Sequence, residues 1–195
     1  MRSSRREFLK TAATTGAALA IAAGANSPAL AADPDVQMSV ARLQAKPETP
    51  EALQAAATKL TNEALRNLGG MARFVKKGAS VWVKPNINFH RSPEFAANTH
   101  PEVVAAVVRA CFEAGAAKVR VGDHSAFGSD VSYPMSGIEA AAKAAGAEVV
   151  YLDESKFKEF PLAGKELPAW RLCPEIVESD LVISVPVAKR HPLPI

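Results

Sequence analysis

The chain has 195 residues, of which 48% are hydrophobic, and a formal net charge of +3. The N-terminal segment accounts for this excess, since it contains Arg2, Arg5, Arg6 and Lys10 against a single acid, Glu7. Beyond Ala31 there are 19 basic and 19 acidic residues, so no strongly basic surface is expected to attract phosphate backbones. The composition therefore argues against a nucleic-acid partner, and the length suits a single domain with a substantial core.

The N-terminus has the three parts of a secretory signal. The charged segment Ser4–Lys10 contains two adjacent arginines, an alanine-rich apolar stretch runs from Thr11 to Ala23, and Ala29–Ala31 is a small-x-small cleavage site. The paired arginines indicate the twin-arginine type. We predict that residues 1–31 are a signal peptide, that the twin-arginine translocase is a partner during export, and that the protein is periplasmic. The apolar stretch is too short and too alanine-rich to remain as a stable membrane span.

Residues 32–48 are a polar lead-in with an expected edge strand at Gln37–Leu43, and residues 49–195 form the predicted α/β domain. In this domain apolar strands alternate with helices. The predicted strands are Ser80–Lys84, Lys118–Gly122, Glu148–Leu152 and Leu181–Val185. The predicted helices are capped by Thr49, by Thr99 and Ser136 in capping boxes, and a short helical turn lies near Pro174–Glu178. The alternation predicts a Rossmann-like open, mainly parallel sheet with helices on both faces.

The chain contains two cysteines. Cys111 falls on the apolar side of a predicted helix, and Cys173 precedes Pro174 in a loop-like stretch. A disulfide between them is one alternative in an oxidising compartment, and two separate buried thiols are the other. Two cysteines cannot supply the four thiolates of an iron–sulfur cluster or a structural zinc site, so this chain alone is expected to hold neither.

Polar side chains follow every predicted strand. The carboxyl ends of parallel strands share one edge of a sheet, where ligands of open α/β folds bind. All four histidines map to this edge, although polar residues also follow strands simply because loops are exposed. The candidate site residues are Lys84, Asn86, Thr99, Asp123, His124, Ser125, Lys189 and His191.

Three kinds of chemistry can be assigned to these residues. Lys84 and Lys189, with the N-terminus of the helix after His100, would favour a carboxylate or phosphate; with His124 and His191 they are the catalytic candidates. Four further residues are expected to contact a cofactor: Asn86, Thr99, Asp123 and Ser125. Asp123 with His124 and His191 would suit zinc or iron, although their spacing is not a metal motif in itself.

Four segments of the chain together resemble the family called domain of unknown function 362. They are Val83–Asn86, Thr99–Val104, Gly122–Ser125, and Ser179–Pro186 with Lys189 and His191. Members of that family are often described as iron–sulfur-related, and twin-arginine signals are familiar among them. The resemblance implies that any redox role of this chain runs through an iron–sulfur or other redox partner. Family members continue past the Lys-x-His element, which implies that this chain is a truncated or frame-shifted member.

Three functions remain open from the sequence. The first is an enzyme or a cofactor-dependent, oxidoreductase-like protein with a ligand, metal or cofactor site at the carboxyl edge of the sheet. The second is a non-catalytic periplasmic binding protein that uses the same edge. The third is a fragment without independent function. The sequence identifies neither the cofactor nor the substrate.

Overall fold

The computed structural model describes residues 36–162 and 164–189. The predicted signal peptide and His191 lie outside these residues. The helices are α1 (Pro50–Asn67), α2 (Pro101–Glu113), α3 (Ser129–Met135), α4 (Ile138–Ala144) and α5 (Pro174–Val177). The strands are β1 (Ser80–Pro85), β2 (Lys118–Val121), β3 (Glu148–Val149), β4 (Lys158–Pro161), β5 (Ala169–Leu172) and β6 (Leu181–Val185).

Four strands form a parallel sheet in the order β3-β2-β1-β6. In the ladder between β1 and its neighbours, Val83 is level with Val121 on β2 and with Ile183 on β6. This sheet, flanked by helices, confirms the predicted α/β class. Because β1 connects onward to β2 on one side and pairs with β6 on the other, the strand order reverses between β1 and β6. That reversal is the position where open α/β sheets usually bind ligands.

One face of the sheet carries the main core. Val81, Val83, Val119 and Val121 are fully buried there, or nearly so, and they pack with residues of α2 and α4. The buried members from these two helices are Val104, Val107, Val108, Cys111, Ile138 and Ala142. Each buried valine contributes about 1.5–3 kcal/mol of hydrophobic free energy. The core therefore holds β1 and β2 rigidly, and with them the loops that leave their carboxyl ends.

The helix starts follow local capping rules, with two departures from the predicted boxes. Thr49 caps α1 as predicted, since its Oγ1 accepts a hydrogen bond from Ala52 N at 3.2 Å. Helix α2 is capped by His100 rather than Thr99, whose hydroxyl is used between strands instead. Gly137 rather than Ser136 is the N-cap residue of α4, although the Ser136 hydroxyl still accepts from Ile138 N at 3.3 Å. A capping-box spacing therefore located both helices to within one residue.

Three other expectations need correction. No strand forms at residues 37–43, where Met38 and Val40 are exposed, so the apolar alternation there has no core to bury it. The third strand is shorter than predicted and is limited to Glu148–Val149. Helix α3 and the antiparallel hairpin of β4 and β5 were not predicted. The hairpin strands mix charged and apolar residues and leave Trp170 exposed, so they lack the alternation that marks a half-buried strand.

The two cysteines are free and buried in the described structure. Cys111 lies in the main core, as predicted, and burial raises the pKa of its thiol to about 11. Cys173 donates a hydrogen bond from Sγ to Glu175 Oε2 at 3.1 Å, and burial is the largest cause of its raised pKa. Both thiols are therefore protonated at neutral pH and behave as packing groups rather than as nucleophiles.

The lack of a side chain at Gly122 leaves room for the fully buried ring of Trp82. A Cβ on Gly122 would lie 2.8 Å from Trp82 Cζ2 and 2.8 Å from the backbone oxygen of Val150. We therefore expect Gly122→Ala to lower the free energy of unfolding by about 1–3 kcal/mol through overpacking. Urea unfolding followed by circular dichroism would measure this loss. As a control, Gly78→Ala meets no atom within 4 Å and is strained only by its φ of +84°, so a cost of about 1 kcal/mol is expected. Equal stability of Gly122→Ala and the unmodified protein would contradict this packing.

Candidate functional site

The loops after β1 and β6 are tied to each other and to α2 at the reversal in strand order. The Thr99 hydroxyl accepts a hydrogen bond from Asn86 N at 2.9 Å and donates to the backbone oxygen of Val185 at 2.7 Å. Asn86 Oδ1 accepts from Val187 N at 2.9 Å. Two predicted ligand contacts, Asn86 and Thr99, therefore use their side-chain oxygens to hold the edge of the sheet together.

An ion pair links the ends of β1 and β2. Lys84 Nζ lies 2.7 Å from Asp123 Oδ1, and the Lys84 side chain is 46% exposed whereas that of Asp123 is 7% exposed. The other carboxylate oxygen, Oδ2, accepts a hydrogen bond from Ile87 N at 2.9 Å. Since both oxygens of a buried carboxylate are used, Asp123 holds the Lys84 ammonium in place and leaves part of it open to solvent.

The hydroxyl of Tyr133 holds the backbone of Asp123 in place. Its hydroxyl lies 2.7 Å from both Asp123 N and Asp123 O, accepting from the first and donating to the second. Tyr133 is fully buried, and burial raises the pKa of its phenol. The carboxylate that pairs with Lys84 thus rests on a rigid, buried support, which sequence reasoning missed because Tyr133 lies in the unpredicted helix α3.

His124 and Ser125 point into different surroundings from Asp123. His124 Nε2 lies 2.8 Å from Glu154 Oε1, and both side chains are mostly exposed. Ser125 Oγ lies 3.0 Å from Ser132 Oγ and donates to Asn88 O at 3.4 Å. Within residues 36–162 and 164–189, no group of three or more histidine, cysteine, aspartate or glutamate side chains can hold a metal. The proposed metal set includes His191, outside those residues, and remains a prediction.

One aromatic ring, that of Phe89, lies beside the second lysine of the candidate site. Lys189 Nζ donates to the backbone oxygen of Ala97 at 2.7 Å and lies 4.5 Å from the centroid of the Phe89 ring. Phe89 in turn stacks on Phe127, with ring centroids 5.3 Å apart. Such a cation–π contact lets a lysine keep its charge beside an apolar group. Lys189 is therefore positioned over the loop after β1, on the predicted edge of the sheet.

Asn98 organises the loop between β1 and α2, and no sequence motif identified it. Its Oδ1 accepts from Asn88 N and Phe89 N, each at 3.0 Å, and its Nδ2 donates to Phe89 O at 2.7 Å. The residue is almost fully buried. Only its position, directly before the Thr99-His100-Pro101 helix start, could have suggested a structural role.

His100 takes a structural place at the same edge. Its Nδ1 accepts a hydrogen bond from Glu102 N at 3.2 Å and so caps α2. Burial lowers the pKa of the imidazole, which keeps it neutral and able to accept this bond near neutral pH. The positive end of α2 is therefore occupied by a side chain of the protein itself.

Residues 81–194 match the model of a family described as domain of unknown function (DUF362). This match spans more than half of the chain and contains the ion pair and the loops described above. The chain belongs to this family. A curated relative is the thylakoid-associated protein sll1697 of Synechocystis sp., which is 35% identical over 128 residues. The alignment covers 65% of this chain and 39% of the length of that relative.

No solved structure matches this DUF362 protein. In the part of the chain that the structure describes, no helix is long and apolar enough to cross a membrane.

The two roles of Asp123 can be separated by substitution. Asp123→Ala leaves the buried Ile87 N–H without an acceptor, and we expect it to lower the free energy of unfolding by about 1–3 kcal/mol. Asp123→Asn keeps an acceptor oxygen for Ile87 N and loses only the charge that faces Lys84, so a smaller loss is expected. Urea unfolding of both variants measures the difference. Equal losses for the two variants would show that the hydrogen bond to Ile87 contributes nothing to stability.

Proposed function

We propose that this protein binds a small anionic ligand, through a carboxylate or phosphate group, at the carboxyl edge of the sheet beside β1. The observation that carries the proposal is the fixed position of Lys84. Its ammonium is held 2.7 Å from a buried carboxylate, while nearly half of its side chain remains exposed. A lysine tethered at the strand-order reversal is a suitable anchor for an anion.

The chemistry of the ammonium group leaves room for a ligand. A lysine has three N–H donors, and Asp123 is its one ion-pair partner in the described residues. An incoming carboxylate or phosphate can therefore accept from the exposed side of Lys84 without displacing Asp123. Ordering by the buried partner also reduces the side-chain entropy that the lysine would lose on binding.

Lys189 supplies a second positive charge on the loop after β6. It is tethered to Ala97 O and to the Phe89 ring, so it too is ordered before a ligand arrives. His124 follows Asp123 on the loop after β2 and lies 2.8 Å from Glu154 through its Nε2; it remains our candidate for an acid or base. Turnover of a bound anion that is lost on His124→Ala would favour an enzyme over a non-catalytic binding protein.

The binding proposal is tested with Lys84→Gln. We expect this variant to bind inorganic phosphate or citrate roughly tenfold more weakly, because one charge-assisted hydrogen bond is lost. Isothermal titration calorimetry of the unmodified protein and the variant gives the two affinities.

A matched control is available at the opposite end of the sheet. Lys118 is 45% exposed and pairs with Glu148 at 2.6 Å, so Lys118→Gln removes an equally exposed, paired lysine at the amino end of β2. Its affinity for phosphate and citrate should be unchanged. Equal effects of the two substitutions, or no binding by the unmodified protein, would overturn the proposal.

We also propose that the protein works in the periplasm after twin-arginine export, on the strength of the Ser4–Lys10 sequence and the cleavage site at Ala29–Ala31. Replacing both Arg5 and Arg6 by lysine keeps the charge but removes the arginine pair. We expect this double variant to accumulate uncleaved in the cytoplasm. Cell fractionation with N-terminal sequencing provides the measurement, and a mature protein beginning near Ala32 in the variant would contradict export by this route.

A redox partner remains a prediction from the family resemblance.

A further inference from the structure

Two phenylalanine rings accompany Lys189 at the carboxyl edge of the sheet. The Lys189 ammonium lies 4.5 Å from the centroid of the Phe89 ring. Phe89 in turn stacks on Phe127, with ring centroids 5.3 Å apart and 30° between the ring planes. The centroid of the Phe127 ring therefore lies no farther from this ammonium than the sum of those two distances. A positive charge and an aromatic ring are thus within the reach of one small molecule.

Backbone contacts hold both rings in place. Asn98 is almost fully buried, and it accepts from Phe89 N at 3.0 Å and donates to Phe89 O at 2.7 Å. Ala126 N, directly before Phe127, donates to Asn88 Oδ1 at 2.8 Å. The loops after β1 and β2 are therefore joined beside the stacked rings. A ligand would meet an ordered surface, so less conformational entropy is lost on binding.

Part of the Phe127 ring remains open to solvent. In the part of the chain that the structure describes, this residue is 52% exposed, although it stacks on Phe89 and makes an edge contact with the His90 ring. Isolated exposed apolar side chains are common and need no explanation. Phe127 differs from these because it lies on the loop that leaves β2, shortly after the carboxylate that pairs with Lys84. Open α/β sheets bind ligands at this end of the strands.

An exposed aromatic ring favours a second ring as its contact. Aromatic pairs prefer offset-stacked or edge-to-face arrangements, which are stronger than the buried apolar area alone predicts. The polar side chains of Asn86, Thr99 and Asp123 already bind groups of the protein itself. The part of a ligand that extends beyond its anionic group would therefore contact Phe127 more readily than a free hydrogen-bonding group.

We propose that the ligand of this site is an aromatic anion, in which a phosphate or carboxylate is joined to a planar ring, and that Phe127 selects the ring. This inference rests on the proposed anion site and adds the class of ligand that the site takes. The tethered lysines bind the anionic group, and the ring stacks on the exposed part of Phe127. A ring contact contributes less binding free energy than a hydrogen bond to a charged group, so the ring adds to the selection by charge without replacing it.

Three esters with the same anionic group test this preference: phenyl, cyclohexyl and methyl phosphate. Isothermal titration calorimetry of the unmodified protein should show phenyl phosphate bound roughly fivefold more tightly than methyl phosphate, and also more tightly than cyclohexyl phosphate. Phe127→Ala should reduce the affinity for phenyl phosphate to that for methyl phosphate. Phe127→Tyr keeps an aromatic ring at this position and should retain the preference.

Phe74→Ala is the matched control at the opposite end of the sheet. Phe74 is 44% exposed and also has a cation beside its ring, since Arg73 Cζ lies 5.5 Å from the ring centroid. It borders the same groove as Ala79 and Asp180, which directly precede β1 and β6. This variant should keep the preference for phenyl phosphate.

The outcomes separate this inference from the anion site itself. Equal binding of the three esters, cyclohexyl phosphate bound as tightly as phenyl phosphate, or a preference that survives Phe127→Ala would overturn the inference and leave the anion site standing. Loss of the preference in Phe74→Ala or in Phe127→Tyr would also overturn it. If the unmodified protein binds none of the three esters, the anion site and the inference fail together.

Discussion

The hydroxyl of Thr99 is the contact on which the carboxyl edge of this protein depends. It accepts from Asn86 N and donates to Val185 O, so a single oxygen joins the loop after β1, the start of α2 and the end of β6. These three segments are distant in the sequence and meet only in the folded chain. Burying this hydroxyl destabilises the fold little, because it both donates and accepts a hydrogen bond. Leaving Asn86 N and Val185 O without a partner would destabilise the fold more. The strand-order reversal thus becomes a fixed structure with little freedom to open.

A buried polar side chain also joins the loops after the neighbouring strands β1 and β2. Asp123 accepts from Ile87 N and pairs with Lys84, while Tyr133 bonds both backbone groups of Asp123. Burial of Asp123 is tolerated because each carboxylate oxygen has a partner. The consequence is an ammonium group whose position is set by a buried acid and not by the solvent. One residue therefore has two roles, since the carboxylate that accepts from Ile87 N also orients Lys84.

The predictable parts of this molecule are those with local signals. Runs such as Val81–Val83 and Leu181–Val185 identified the strands, and the spacing from Thr99 to Glu102 located α2, because burial and capping depend on near neighbours in the sequence. The prediction that Thr99 caps α2 was wrong because its actual contact is distant in the sequence. Its hydroxyl bonds a strand 86 residues away, and no local pattern encodes that choice. Tyr133, Asn98 and the β4–β5 hairpin were missed because their contacts are likewise set by tertiary structure.

Most of the polar residues at this edge are engaged in holding the protein together. Asn86, Thr99 and Asp123 bind backbone groups, and His100 caps α2. Lys84, His124 and Lys189 differ from these residues, because their charged or polar ends are exposed to solvent. A ligand bound as we propose would meet the ammonium groups of Lys84 and Lys189 above a layer of internal hydrogen bonds. Such an arrangement would select a ligand by charge more than by shape, because the other polar side chains at this edge are already hydrogen-bonded within the protein. Discrimination among anions would then depend on the distance between two tethered lysines, which the ties through Asp123 and Ala97 keep constant.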